Sequence, residues 1–274
     1  MKNLKIKVSN YYKENFSILS LEEREAFDFF LYKGFYVFPY SWCDNYNSLK
    51  FRVGINRGLP CADVFGKKMF FKKGWSELQV NSYLRGIYRE QDLNSPHRYI
   101  TDYFHPIKED LVLDIGVAEG YFSLDVINNV SKILAFELDN TWDEPLKQTF
   151  KDYAQKIEIF NFKVTDTIKS ISERKIDDFS ICFTMPIFVK IDVEGDEMKV
   201  LNGMKEILKI NKKVNFTIAC YHYQNQAQEI ADFFKSINFK YEFSNNFMFY
   251  VFDKNLKEPF LRRGVIRASN YIDF

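Results

Sequence analysis

Cysteine is scarce and poorly spaced for metal binding. The four, Cys43, Cys61, Cys182 and Cys220, include no C-x-x-C pair. That excludes a zinc ribbon and reads as free thiols in a reducing compartment. Charge of one sign is missing too: 38 basic residues stand against 37 acidic ones. No global field draws the chain to nucleic acid or an anionic membrane. Long apolar runs are also absent. The opening MKNLKIKVSNYY lacks the apolar centre of a signal peptide. The most apolar stretch, residues 27–42, is interrupted by Asp28, Lys33, Gly34 and Pro39, which suits a buried core and not a membrane span. The expectation is a cytoplasmic protein with no membrane span and no nucleic-acid partner, with homo-oligomerisation left open.

What is present is 46% apolar residues, enough for a sizeable core. The pattern changes near residue 105. Upstream, residues 21–34 and 76–88 have helical spacing, the second with Leu78, Tyr83, Leu84 and Ile87 near one face. Downstream, apolar strands are expected over 111–116, 132–138, 156–162, 187–192 and 214–221. They alternate with helices over 120–130, 142–154, 196–209 and 225–237. Uniformly apolar strands alternating with helices make a parallel sheet covered on both faces. KYEF (240–243) and FMFYVF (247–252) flank Ser244-Asn245-Asn246, which reads as an antiparallel hairpin. The expected division is an N-terminal α+β extension over 1–88 and an α/β, doubly wound domain over 89–274.

In such sheets ligands lie beyond the carboxyl ends of the strands. DIGVAEG (114–120) sits there after the first strand. A dinucleotide loop needs G-x-G-x-x-G, but positions 116, 118 and 121 are Gly, Ala and Tyr. A phosphate-cradling P-loop needs a lysine that is not there, and Glu119 would repel phosphate. A cationic ligand remains: S-adenosylmethionine, with its sulfonium and ammonium groups. Asp114 is assigned to the ammonium end. Glu137, closing the second strand, is assigned to both ribose hydroxyls. Gly116 and Gly120 are expected to let the backbone approach the ligand. Trp142 is expected along the adenine, and Asp166 at its amino group. Ala118, Glu119, Tyr121, Phe122, Leu138 and Tyr99 complete the expected cofactor set.

FVKIDVEGDEMKVLNG (188–203) puts Asp192 and Glu194 at the end of the fourth strand, beside the reactive end of the donor. Asp196 and Glu197 read as helix-start acids favoured by the helix dipole. His222, at the next strand end in ACYHYQ, is assigned as general base, with Asp192 orienting it or binding the acceptor hydroxyl. Glu194 is grouped with these two as catalytic. His97, Arg98 and Tyr223 are assigned to the substrate. Mg²⁺ at Asp192 is the variant, but a hard cation needs more oxygens than Asp192 and Glu194 supply, so no metal is expected. Lys67, Lys68, Lys72 and Lys73 read as the wet face of an ordinary strand.

KIDVEG, followed by Glu197 and V-L-x-G, resembles the signature of FkbM-type methyltransferases. DIGVAEG, F-E-L-D-x-x-W, ACYH and SPHRY (95–99) extend the resemblance over roughly residues 90–250. It implies a Rossmann-like class I methyltransferase sheet and S-adenosylmethionine-dependent O-methylation. The implied acceptor is a sugar or nucleotide-sugar hydroxyl, as in bacterial capsule or other surface-glycan biosynthesis, or a natural product. Two other readings stay open. A nucleotide-sugar oxidoreductase would share the sheet and Glu137, but needs the three-glycine turn. A non-catalytic binding module would keep the fold without the chemistry.

Overall fold

The computed structural model describes residues 2–274. Two helices open it, α1 (Lys2–Asn15) and α2 (Leu21–Lys33). Ser20 starts α2 with a reciprocal cap: its hydroxyl accepts from Glu23 N at 3.2 Å, and the Glu23 carboxylate accepts from Ser20 N at 2.8 Å. A three-stranded antiparallel sheet follows, formed by β1 (Val53–Asn56), β2 (Leu59–Val64) and β3 (Lys67–Phe70). Next comes α3 (Glu77–Glu90), capped in the same way by Ser76 and Gln79. It buries Val80, Asn81, Leu84 and Ile87. Leu78 is exposed, because two residues from Val80 is the far side of a 3.6-residue turn.

The remaining elements are β4 (Leu111–Ile115), α4 (Tyr121–Val126), β5 (Lys132–Phe136), α5 (Asp143–Thr149), β6 (Ile157–Phe160), the short ribbon β7 (Lys163–Val164) and β8 (Glu173–Arg174), then β9 (Ile187–Ile191), α6 (Glu197–Asn202), α7 (Lys205–Ile210), β10 (Val214–Ala219), α8 (Gln226–Ser236), β11 (Lys240–Phe243) and β12 (Val265–Ser269). Seven of the strands form one sheet in the order β11-β12-β10-β9-β4-β5-β6. Only β12 runs against its neighbours. This is the expected α/β, doubly wound sheet.

Alternation along β4 divides the core. Leu111, Leu113 and Ile115 pack with Val200, Ile207 and Phe234 from α6, α7 and α8. Val112 faces the other way, with Leu124 of α4 and Leu146 of α5. That second core also takes in Ala62 of β2, Met69 of β3 and Val80 and Leu84 of α3. The expected boundary at residue 88 therefore falls inside a helix that shares the main core. A third core joins α1 and α2 to the chain near its end, through Phe27, Phe30, Phe247, Phe249 and Phe260.

Two expected elements differ. The helix over 196–209 breaks into α6 and α7 at Gly203, where a Cβ would stand 2.4 Å from the Thr165 carbonyl oxygen. The hairpin at 240–252 is open: Asn246 does adopt φ +66°, but Phe247 and Phe249 are drawn into the aromatic core of α1 and α2. The strand that pairs with β11 is β12, entering antiparallel between β11 and β10. Among the described residues no helix is long and apolar enough to cross a membrane.

Candidate functional site

Just below the tips of β5, β4 and β9, a row crosses the sheet in register: Ala135, Asp114, Lys190, Thr217 and Arg267. Residues in register project from one face, here the face of the second core. Lys190 Nζ lies 3.2 Å from Asp114 Oδ1 and donates to the Gly116 carbonyl. Burial works against the ammonium, but Asp114 and Asp192 outweigh it and raise the Lys190 pKa. Asp114 Oδ2 accepts from the Ser123 hydroxyl at 2.6 Å. Thr217 donates to the Tyr99 carbonyl at 2.8 Å, and Arg267 donates to the carbonyls of Tyr99 and Arg98. The row thus pins two backbone pieces that border the cleft, the 116 loop and the 98–99 segment. Asp114 is fully buried and committed to Ser123 and Lys190, which corrects its assignment to the donor's ammonium.

Beyond the row, Asp192 closes β9. The Tyr99 hydroxyl donates to its Oδ2 at 2.6 Å. His222 Nε2 lies 3.3 Å from Oδ1, and His97 Nε2 lies 3.6 Å from Oδ2 and 3.0 Å from the Tyr221 hydroxyl. On its other edge, His222 Nδ1 is 3.1 Å from Glu197 Oε1. Glu197 is fully buried and accepts from Val193 N at 3.0 Å, Gly195 N at 3.2 Å and the Gln226 amide. It holds the turn in which Glu194 is forced to φ +56°. The role expected of Glu197, a helix-start acid, is therefore too small.

Burial lowers the pKa of the His222 imidazole, yet the carboxylates of Asp192 and Glu197 override it and raise the pKa to about 10. Burial raises Asp192, but His222, His97 and Lys190 override it and hold the carboxyl well below its ordinary range. At neutral pH an imidazolium stands between two carboxylates and has no lone pair with which to take a proton. That corrects the assignment of His222 as general base. Asp192, Glu197 and His222 also offer ligand atoms within 4.8 Å of one another. The two carboxylates, however, face opposite nitrogens of one protonated ring. The group fits a closed ion triad better than the oxygen-rich seat of a hard cation.

Three adjoining cavities open over the strand tips. The first, about 720 Å³, follows β5 and β6 and is lined by Phe136, Glu137, Leu138, Trp142 and Phe162. Glu137 accepts from Ala118 N at 2.8 Å on Oε2 and from Asp139 N at 2.7 Å on Oε1, and each oxygen keeps a second lone pair. The second, about 640 Å³, is bordered by Gly116, Ala118, Glu119, Tyr121, Phe122, His97, Tyr99 and Asp192, with Tyr83, Gly86 and Glu90 of α3 above. Burial raises the Glu119 pKa to about 7, against the Tyr83 hydroxyl that donates to it at 2.6 Å. The third, about 630 Å³, lies between residues 36–47, α3 and the 248–252 segment. Glu194 borders all three.

Five other expected ligand residues lie elsewhere. Gly120 borders none of these cavities; a Cβ there would meet the Phe150 ring at 2.7 Å. Gly116 does border the cleft, but its missing Cβ makes room for the Asp192 carbonyl, which would be 1.8 Å away. Asp166 is carried off beyond β7, and Lys163 and Val164 line the first cavity in its place. Arg98 turns to the Ile100 carbonyl at 2.6 Å and borders a separate shallow depression with His105 and Asp125. Tyr223 donates to Glu229 on α8 at 2.7 Å. His222 stands behind Asp192 and outside the lining. The residues missed were Lys190, Glu197, Gly86 and Glu90. A lysine inside the apolar run IFVKID and a glycine inside an amphipathic helix were the signals on offer.

A seven-stranded sheet in this order, with one reversed strand, is the Rossmann-like fold of class I methyltransferases. The model of the methyltransferase FkbM domain matches residues 39–241, and the chain belongs to the FkbM methyltransferase family. A search of curated proteins finds no match. Among solved structures, a methyltransferase FkbM from Methylobacillus flagellatus is 16% identical, with a TM-score of 0.49 over 70% of this chain and 54% of that one. The present chain thus spans about half the length of that relative. A precorrin-6y C5,15-methyltransferase from Geobacter metallireducens is 12% identical, with a TM-score of 0.40 over 59% of this chain and 80% of that one. An rRNA methylase from Streptococcus thermophilus is also 12% identical, with a TM-score of 0.39 over 60% and 88%.

Proposed function

We propose that the protein transfers a methyl group from S-adenosylmethionine to a hydroxyl of a sugar-like acceptor. The observation that carries this reading is the sign of the charge in the second cavity. Glu90, Glu119, Asp192 and Glu194 line it against one lysine, Lys190. Such a lining attracts a sulfonium and an ammonium and repels a pyrophosphate. The first cavity suits the nucleoside end: Glu137 keeps lone pairs for the ribose diol, and Leu138 offers an apolar face to the base beside the Trp142 and Phe162 rings, which carry Lys72 and Arg174 over them at 4.5 and 4.7 Å. When bound, the donor supplies an electrophilic methyl group whose transfer removes the sulfonium charge.

The chain's own part is alignment and electrostatics. Tyr99 and the His222 imidazolium hold Asp192 ionised and fixed at the tip of β9. A fixed anion there accepts the acceptor's hydrogen bond and places its oxygen, and positioning of this kind contributes about 7–11 kcal/mol in favourable systems. The N-terminal residues supply an acceptor wall to the third cavity, with Tyr36 and Phe38 beside Tyr250 and Phe252 in a segment joined to theirs by Phe249 N donating to the Val37 carbonyl at 2.9 Å. Aromatic faces suit the C–H face of a sugar ring, and capsule or surface-glycan synthesis is the setting we assign. The oxidoreductase reading fits less well, since Glu119 occupies the loop that a dinucleotide's phosphates would need. The test is incubation with S-adenosylmethionine and a panel of methyl glycosides and nucleotide sugars, read by mass. The expected result is gain of one methyl on a sugar with release of S-adenosylhomocysteine; NAD⁺ reduction with no methylated product contradicts it.

A further inference from the structure

With His222 protonated and Asp192 held strongly acidic, neither offers the proton of the acceptor hydroxyl a destination at the tip of β9. The roof of the cleft offers one. Glu90 is the last residue of α3 and borders both the second and the third cavity. Its carboxylate makes no hydrogen bond or ion pair with any described residue; burial is the chief influence on it and raises its pKa, with Asp192 and Glu194 adding to the rise and His97 and Lys190 opposing it. Its position gives the fold nothing. A carboxylate at a helix C-terminus faces the negative end of the macrodipole, and a half-buried one without partners is disfavoured again.

A second observation stands one turn earlier. Gly86 borders the same two cavities and lies on the same helix face as Glu90, four residues on. A Cβ built at Gly86 meets nothing within 4 Å, and its φ is not in the left-handed region. Neither packing nor backbone geometry asks for glycine there, although glycine inside a helix costs about 1 kcal/mol relative to alanine. What its bare backbone does provide is open space between the donor cavity and the third cavity.

We infer that Gly86 and Glu90 form the doorway between the donor and acceptor cavities, and that the Glu90 carboxylate is the general base that takes the acceptor's proton. This rests on the methyl-transfer reading above and names the residue that completes it. As the acceptor oxygen bonds to the methyl carbon, the carbon–sulfur electron pair stays on sulfur. The hydroxyl proton passes to Glu90 and from there to solvent. The acceptor is a hydroxylated ring with no phosphate next to the reacting hydroxyl, because Asp44, Glu90 and Glu194 outnumber Arg89 in the third cavity's lining and disfavour an anion.

The experiment compares wild type with Glu90→Gln and Gly86→Leu. Binding of S-adenosylmethionine is read by calorimetry, and turnover by release of S-adenosylhomocysteine with unphosphorylated methyl hexopyranosides. Glu90→Gln is expected to weaken donor binding only a few-fold, since Glu119, Asp192 and Glu194 still line the donor's cavity, and to lose about 10²–10⁴ in kcat, the usual worth of a general base. The acid limb of the wild-type pH profile is expected to disappear with it. Gly86→Leu is expected to bind the donor and not turn over. A Glu90→Gln enzyme that loses donor affinity and keeps kcat overturns the inference, because Glu90 then holds the donor's ammonium; so does one with full activity. Carbodiimide labelling of wild type gives a reading without turnover: Glu90 is expected to label in the donor-saturated protein, and protection by the donor contradicts the assignment. Absence of donor binding by wild type would instead defeat the methyl-transfer reading itself.

Discussion

The donor side and the acceptor side of the cleft are built in different ways. The donor side is floored by the sheet's own loops, residues 116–122 after β4, 137–142 after β5 and 192–197 after β9, and roofed by Trp75, Tyr83 and Glu90. Each loop is short and is set by the strand it follows. The acceptor side is assembled from remote pieces, residues 36–47, the end of α3 and residues 248–252. Nothing in the sheet dictates these pieces, so they can change without disturbing the donor loops. On the methyl-transfer reading, the comparison teaches that the sheet provides most of the donor half and that the additions choose the acceptor, which is how one fold serves many reactions.

The donor side rests on the buried row across the sheet, and the largest expected effect lies there. Lys190→Met leaves Asp114 buried without its cation. Removing one member of a buried pair costs about 3–5 kcal/mol, and a denaturant melt should show the loss. A change below about 1 kcal/mol would mean that the row does not hold the 116 loop and the 98–99 segment in place.

Next is the triad at the tip of β9. The folded pKa of His222, about 10, exceeds the unfolded value of about 6.5. Its contribution to stability is therefore complete below pH 6.5 and is lost as pH rises through 10. Between those limits stability should fall by about 1.4 kcal/mol per pH unit from this group. His222→Asn should flatten that fall in melts taken from pH 7 to 10. An unchanged slope would show that the imidazole is not held as the cation described.

The smaller effects separate the halves. Glu137→Ala removes the carboxylate assigned to the ribose diol. Hydrogen bonds to a charged group are worth about 1.5–3 kcal/mol, so donor Kd should rise at least about tenfold with acceptor KM unmoved. Tyr250→Ala should do the reverse, raising acceptor KM by about 3–10-fold, the range of one aromatic contact, with donor affinity kept. If each variant moves both constants together, the division into halves is wrong.

Legibility in the sequence follows the same line. Uniformly apolar strands and the glycine turn of 114–120 placed the sheet and most of the donor loops. Elsewhere, residue type suggested a partner that the fold gave to another group. Asp114 looked free for a ligand, but its register neighbour on β9 is Lys190, a pairing visible only once strands are aligned. His222 looked like a base until Glu197, 25 positions earlier, was seen against its other edge. The acceptor wall was illegible because its pieces carry ordinary aromatic residues and meet only through tertiary packing. The missed strand β12 has the same origin: Phe247 and Phe249 read as a hairpin arm, and the core of α1 and α2 claims them instead.

A calorimetric titration of the wild-type chain with S-adenosylmethionine and, separately, with NAD⁺ tests most directly whether the strand tips form a seat for a cationic methyl donor. The expected result is one S-adenosylmethionine per chain, weakened by Glu137→Ala, with no heat from NAD⁺. Saturable NAD⁺ binding with none for S-adenosylmethionine would contradict it.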